Sequence, residues 1–143
     1  MFTASQSRSR TTGVLLTVGI VALTLTTASI HFSLGGLLFL LNAAGYATAA
    51  VAIVVAAWAP HPLIARFSWL PRVGLIGYTL VTIVGYLVMG PYFTLGFIAK
   101  GVEVVLIALL VTDILRVYGS FGGLLSAARN SIFNPSVDTS LNA

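Results

Sequence analysis

Residues 95–118 read LGFIAKGVEVVLIALLVTDILRVY. A helix needs about 20 mostly apolar residues to cross the hydrocarbon core of a bilayer, and this run has that length and character. It also carries Lys100 and Glu103 three positions apart, and Asp113 and Arg116 three apart near its end. The first question is whether the whole chain belongs in lipid. Of its 143 residues, 58% are hydrophobic and only 7% charged, and the mean hydropathy is +1.04. A soluble domain carries about 25% charged residues, so these charges could hardly cover a surface in water.

Working outward from this run, three further apolar stretches appear. They are Gly13 to Ile30, Phe32 to Trp58 and Val73 to Met89, with Leu95 to Tyr118 as the fourth. Short breaks separate them: a polar link from Ser29 to Ser33, the proline- and arginine-containing segment PHPLIARFSWLPR, and the Gly-Pro turn GPYFT. The first stretch follows Arg8 and Arg10 as a signal peptide would, but its apolar run exceeds the roughly 7 to 15 residues of a signal core, so it reads as a true span. The expected architecture is an all-α, four-transmembrane-helix bundle. A segment 1–12 precedes the bundle at 13–118. A region 119–143 follows, in which Phe121, Leu124, Leu125, Ala128 and Ile132 recur at helical spacing as an amphipathic helix on the membrane face. From Asn134 the tail is polar and expected to be mobile.

With four spans, Arg8, Arg10, Arg66, Arg72, Arg116 and Arg129 all fall on one side. The positive-inside bias places that side, and both termini, in the cytoplasm, and the expected location is the plasma membrane of a prokaryote. The formal net charge of +4 does not signal nucleic acid, because the basic residues are scattered and form no basic stripe. The absence of cysteine excludes disulfides, thiolate metal sites and thiol catalysis. No nucleophile elbow, P-loop, HExxH or dinucleotide fingerprint occurs, so no enzymatic role is expected.

Small residues mark contact faces between helices in lipid. Gly36, Ala43, Ala47, Ala50 and Ala57 form such a stripe, as do Gly74, Gly77 and Gly85 on the third span and Gly96 and Gly101 on the fourth. The membrane lipids, other membrane subunits or further copies of the chain are the expected partners.

An intramembrane ionisable residue is a functional candidate by default. At 1.5 Å per residue, Lys100 lies roughly 8 Å and Glu103 roughly 12 Å inside the outer boundary. Lys100 can snorkel outward, whereas Glu103 is deeper and shorter, and the two share a face on which they can neutralise each other. If the second and fourth spans pack together, His31, at the outer start of span two, and Asn42, near the midplane, join them in one polar cluster. Asp113 and Arg116 read as an anchor at the inner end. His61 sits a membrane thickness from His31, so one haem cannot take both.

Three functions are compatible with this pattern. The first is a non-enzymatic accessory subunit of a larger membrane complex or homo-oligomer. The second is an oligomeric ion or proton channel or carrier using Glu103, Lys100 and His31. The third is a pigment-, haem- or quinone-binding protein with His31 as the candidate ligand. No cofactor is specified by the residues, and no metal site is expected.

Overall fold

The computed structural model describes the backbone of residues 4–133 and the side chains from Arg10 onward. The tail from Asn134 and the side chain of Arg8 lie outside the described residues. The fold is all-α, with no strand among the described residues. Helices α1 (Ala4–Leu34), α2 (Leu37–Trp58), α4 (Trp69–Met89) and α5 (Thr94–Tyr118) are the long ones; α3 (Pro62–Arg66) and α6 (Phe121–Phe133) are short. Arg10–Leu34 of α1 and the whole of α2, α4 and α5 are long and apolar enough to cross a membrane. The 22 residues of α2 extend about 33 Å, enough for a hydrocarbon core of about 30 Å.

The helices form a closed ring. α1 packs against α2 and α5, and α4 packs against α5 and α2. Along each helix the inward residues recur at three- and four-residue steps: Ile20, Thr24, Thr27 and His31 on α1; Ala43, Tyr46, Ala50 and Ile53 on α2; Ala99, Glu103, Leu106, Leu110 and Asp113 on α5. Leucines and valines on the other faces are widely exposed, as expected of side chains that meet lipid. Polar layers lie at the two ends of the bundle. Between them Ile20, Ile53, Leu75, Leu106 and Leu110 form an apolar plug.

Three boundaries differ from the sequence expectation. The link between the first two spans is not Ser29–Ser33. Helix α1 continues to Leu34, and the chain turns at Gly35 and Gly36, whose φ angles of +69° and +80° favour glycine. The serines do not break the helix because their hydroxyls bond back into it: Ser29 Oγ donates to the Leu25 carbonyl at 2.9 Å and Ser33 Oγ to the Ile30 carbonyl at 2.7 Å. His31 therefore belongs to the end of α1, not to span two. The segment read as a proline-rich loop holds α3 and the first turn of α4. Pro62 and Pro71 stand in first turns, where a missing N–H breaks no intrahelical bond. His61 caps α3, its Nδ1 accepting from the Leu63 amide at 3.3 Å.

The small-residue faces are used selectively. Ala43 and Ala50 are buried, whereas Gly36 and Ala47 are exposed. A methyl group at Gly74, Gly77, Gly85 or Gly101 would meet nothing, so these glycines are not the close-contact points their spacing suggested. Gly45 and Gly96 are: a methyl group there would run into the phenol groups of Tyr78 and Tyr86. In α6, the expected apolar stripe divides. Leu124 and Ala128 turn toward the bundle with Ser131, and Phe121, Leu125 and Ile132 remain exposed. Ser131 fastens the helix, accepting from Trp69 Nε1 at 3.0 Å through its hydroxyl and from Arg66 Nε at 2.7 Å through its carbonyl.

Gly45→Leu is expected to lower stability by about 1–3 kcal/mol, because the added atoms displace Tyr78 from a packed interface. Gly74→Ala, made toward open space, should change it by less than about 0.5 kcal/mol or raise it. Unfolding of the two variants in mixed detergent micelles checks the contrast.

Candidate functional site

The end of the bundle opposite the arginines holds the polar cluster. Glu103 is wholly buried on α5. One turn earlier, Lys100 reaches back to it, with Nζ donating to Oε1 at 2.8 Å and Oε2 at 2.7 Å. Lys100 thus turns into the bundle instead of snorkelling outward, and its side chain is only 11% exposed. Its ammonium also lies 5.6 Å from the centre of the Tyr86 ring, within cation–π range. The pairing answers the energetic problem of the sequence, since an isolated charge at this depth costs about 2.5–3.5 kcal/mol.

Three other helices complete the cluster. From α4, Thr82 Oγ1 donates to Glu103 Oε2 at 3.0 Å. From α2, the Tyr46 hydroxyl meets Thr82 Oγ1 at 2.8 Å. From α1, His31 Nδ1 lies 2.8 Å from the Thr27 carbonyl. A carbonyl only accepts, so Nδ1 carries the hydrogen, and Nε2 is left facing Glu103 Oε1 at 3.8 Å. Every helix of the ring therefore contributes a group to one carboxylate or to its immediate partner.

Lys100, Glu103 and His31 are brought together as the spacing suggested, although His31 arrives from α1. Asn42 stands to one side. Its Oδ1 accepts from the Tyr78 hydroxyl at 2.8 Å, and the Tyr78 and Tyr46 rings meet edge to face with centroids 4.9 Å apart. Thr82 and Tyr78 carry bonds that the sequence reading did not assign. Thr82 is spaced from Thr79 and Tyr78 so that all fall on neighbouring inward positions of α4, and that recurrence was the available signal. Of the His31 ring nitrogens, Nδ1 is bonded to the Thr27 carbonyl, and Nε2 stands 3.8 Å from Glu103 Oε1, beyond hydrogen-bond distance. Among the described residues no group of three His, Cys, Asp or Glu side chains is placed to hold a metal ion.

Above the cluster, between α1, α2, α4 and α5, lies a cavity of about 300 Å³. Leu34, Leu38, Phe39, Val81, Met89 and Phe93 supply apolar walls, and His31, Asn42, Thr82 and Lys100 supply the polar groups. An apolar chamber with a few converging polar groups is the usual form of a small-molecule site.

At the other end, Asp113 is 2% exposed and shared by two arginines. Arg72 Nε donates to Oδ2 at 2.8 Å, and Arg116 Nη2 donates to Oδ1 at 2.8 Å. Arg72 also donates through Nη1 to the Ser68 carbonyl at 2.6 Å. The expected Asp113–Arg116 anchor is thus a clamp that also ties α5 to α4.

The fold and these two polar centres define a polytopic α-helical protein with membrane-spanning character. Comparison with family models, with curated proteins and with solved structures finds no match to the chain.

Removing either partner of the buried pair leaves an uncompensated charge, so Glu103→Leu and Lys100→Met should each destabilise the bundle by about 3 kcal/mol. The double variant Lys100→Met/Glu103→Leu should recover most of that loss. A double-mutant cycle measured by unfolding in mixed micelles checks this, and additive losses would contradict a direct pairing.

Proposed function

We propose that the chain is a non-catalytic membrane protein that binds a small lipophilic molecule in the cavity above Lys100. The observation that carries this reading is the cavity itself: apolar walls converge on the Asn42 amide, a hydrogen-bond donor, and on the Lys100 side chain, whose ammonium donates to Glu103 and the Thr82 carbonyl and lends the cavity its positive end. The matching ligand has an apolar body and a head that accepts hydrogen bonds, such as a quinone carbonyl or a carboxylate. His31 and Glu103 serve it indirectly. Glu103 holds the lysine in place, and His31 backs the carboxylate. The proposed setting is a prokaryotic plasma membrane with the arginine end in the cytoplasm, supported by the gathering of Arg66, Arg72, Arg116 and Arg129 on that side.

Gly85 lines the cavity and has open space where a side chain would begin. Protein purified in mild detergent should release, on organic extraction, a near-stoichiometric lipophilic molecule detectable by mass spectrometry and ultraviolet absorption. Gly85→Phe, which fills the chamber without touching the Lys100–Glu103 pair, should abolish its recovery. Recovery of no such molecule from the unaltered protein, or equal recovery from both, would overturn the reading.

A second reading, an accessory subunit or homo-oligomer, is favoured by a shallow groove between α1 and α2. Leu25, Ser29, Phe32, Leu40, Ala44 and Ala47 line it. Exposed small residues there let another helix approach closely. The ion-carrier reading gains less support, because the apolar plug separates the two polar ends within one subunit.

The proposed orientation has its own test. Since the chain has no cysteine, single cysteines at Tyr92 and Ser126 are clean reporters. Tyr92→Cys should label with a membrane-impermeant maleimide in intact cells, and Ser126→Cys only after lysis.

A further inference from the structure

The arginine end contains a second cavity, of about 530 Å³, that the ligand site does not use. Arg10, Arg72 and Arg116 line it, together with Ser68 and Trp58. Among the described residues the one carboxylate at this end is that of Asp113, bonded to Arg72 and Arg116. Three positive charges and one negative leave the cavity with a net charge of about +2, in a wall where α1, α2, α3, α4 and α5 all contribute.

Two of the guanidinium groups, those of Arg72 and Arg116, are held and not merely nearby. Arg72 is 5% exposed and fixed by Asp113 and by the Ser68 carbonyl. Arg116 crosses to α1, where a methyl group at Gly13 would stand 2.9 Å from its Nη1. Gly13 thus gives the guanidinium room against the α1 backbone, one turn from Arg10. Asp113 engages Nε and Nη2 of Arg116 and Nε of Arg72, which leaves donors of both arginines for another acceptor. Arg10 has no carboxylate partner among the described residues. A preformed guanidinium cluster at a membrane boundary matches the oxyanions of phosphate, which take charge-assisted bonds from arginine in paired geometry.

We propose that this cavity binds a phosphate oxyanion, either the phosphodiester of an anionic lipid headgroup or a free phosphate. Arg10 and Arg116 grip it, and Arg72, locked by Asp113, supplies fixed positive charge behind them. Trp58, which lines the same cavity, gives an optical readout.

The test uses the full chain in detergent. It is titrated separately with phosphatidylglycerol, with phosphatidylcholine and with inorganic phosphate, while tryptophan fluorescence and native mass spectra are recorded. The expected result is preference for phosphatidylglycerol over phosphatidylcholine by about tenfold or more, weakening as salt rises. Displacement of bound phosphatidylglycerol by millimolar inorganic phosphate, or direct phosphate binding, assigns the site to the free anion; phosphatidylglycerol binding without either assigns it to the headgroup. Arg10→Gln, which touches neither Asp113 nor the core, should weaken binding about fivefold, the contribution of one arginine at an anionic membrane surface. Gly13→Ala, which crowds Arg116, should weaken it as well. Equal binding of both lipids with no binding of phosphate would overturn the proposal, and so would unchanged affinity in Arg10→Gln.

Discussion

A carboxylate shut away from water must find its counter-charge and its hydrogen-bond donors inside the protein. For Glu103 this requirement organises the end of the bundle opposite the arginines. Lys100 meets both oxygens from the same helix, Thr82 donates from α4, and His31 approaches from α1. Tyr46 reaches the same group through Thr82. Apolar packing alone leaves helices in lipid free to rotate or slide, because the surrounding acyl chains are as apolar as leucine. Directional bonds to one buried group remove that freedom. The edge-to-face rings of Tyr46 and Tyr78 and the contact of Gly96 with Tyr86 then fill in around positions already set.

The arginine end repeats the solution, again around one buried carboxylate. There a single carboxylate, Asp113, restrains two arginines, and the surplus charge is positive. Between the two ends Ile20, Ile53, Leu75, Leu106 and Leu110 form an apolar core that holds no charged side chain, flanked by the buried hydroxyls of Thr24 and Thr79. The molecule thus carries two chemically different chambers on one rigid frame. One is mostly apolar with a few donors, and the other is rich in guanidinium groups.

Much of this was legible in the amino-acid order. Hydropathy and length alone located the four long helices, and three-residue spacing on one helix located Lys100 with Glu103 and Asp113 with Arg116. The remainder depended on relations that one-dimensional spacing does not carry. The bond from Arg72 to Asp113 joins residues 41 apart, and the bond from Tyr46 to Thr82 joins residues 36 apart. The serines around His31 resembled a break because hydroxyls are polar, yet in a nonpolar setting they satisfy themselves on the preceding turn. Prolines at 62 and 71 resembled loop markers because their place within a helix cannot be known until its first residue is. The glycine spacings suggested contact on α4 and at Gly96, and the tertiary arrangement bears out Gly96, against Tyr86, while adding Gly45, against Tyr78.

The turn at Gly35 and Gly36 has a consequence for how the molecule is made. Two residues span at most about 7 Å, so the end of α1 and the start of α2 cannot part. Neither helix can settle in the bilayer and wait for the other at a distance. They form one hairpin, whose inward face presents His31 to Glu103 of α5.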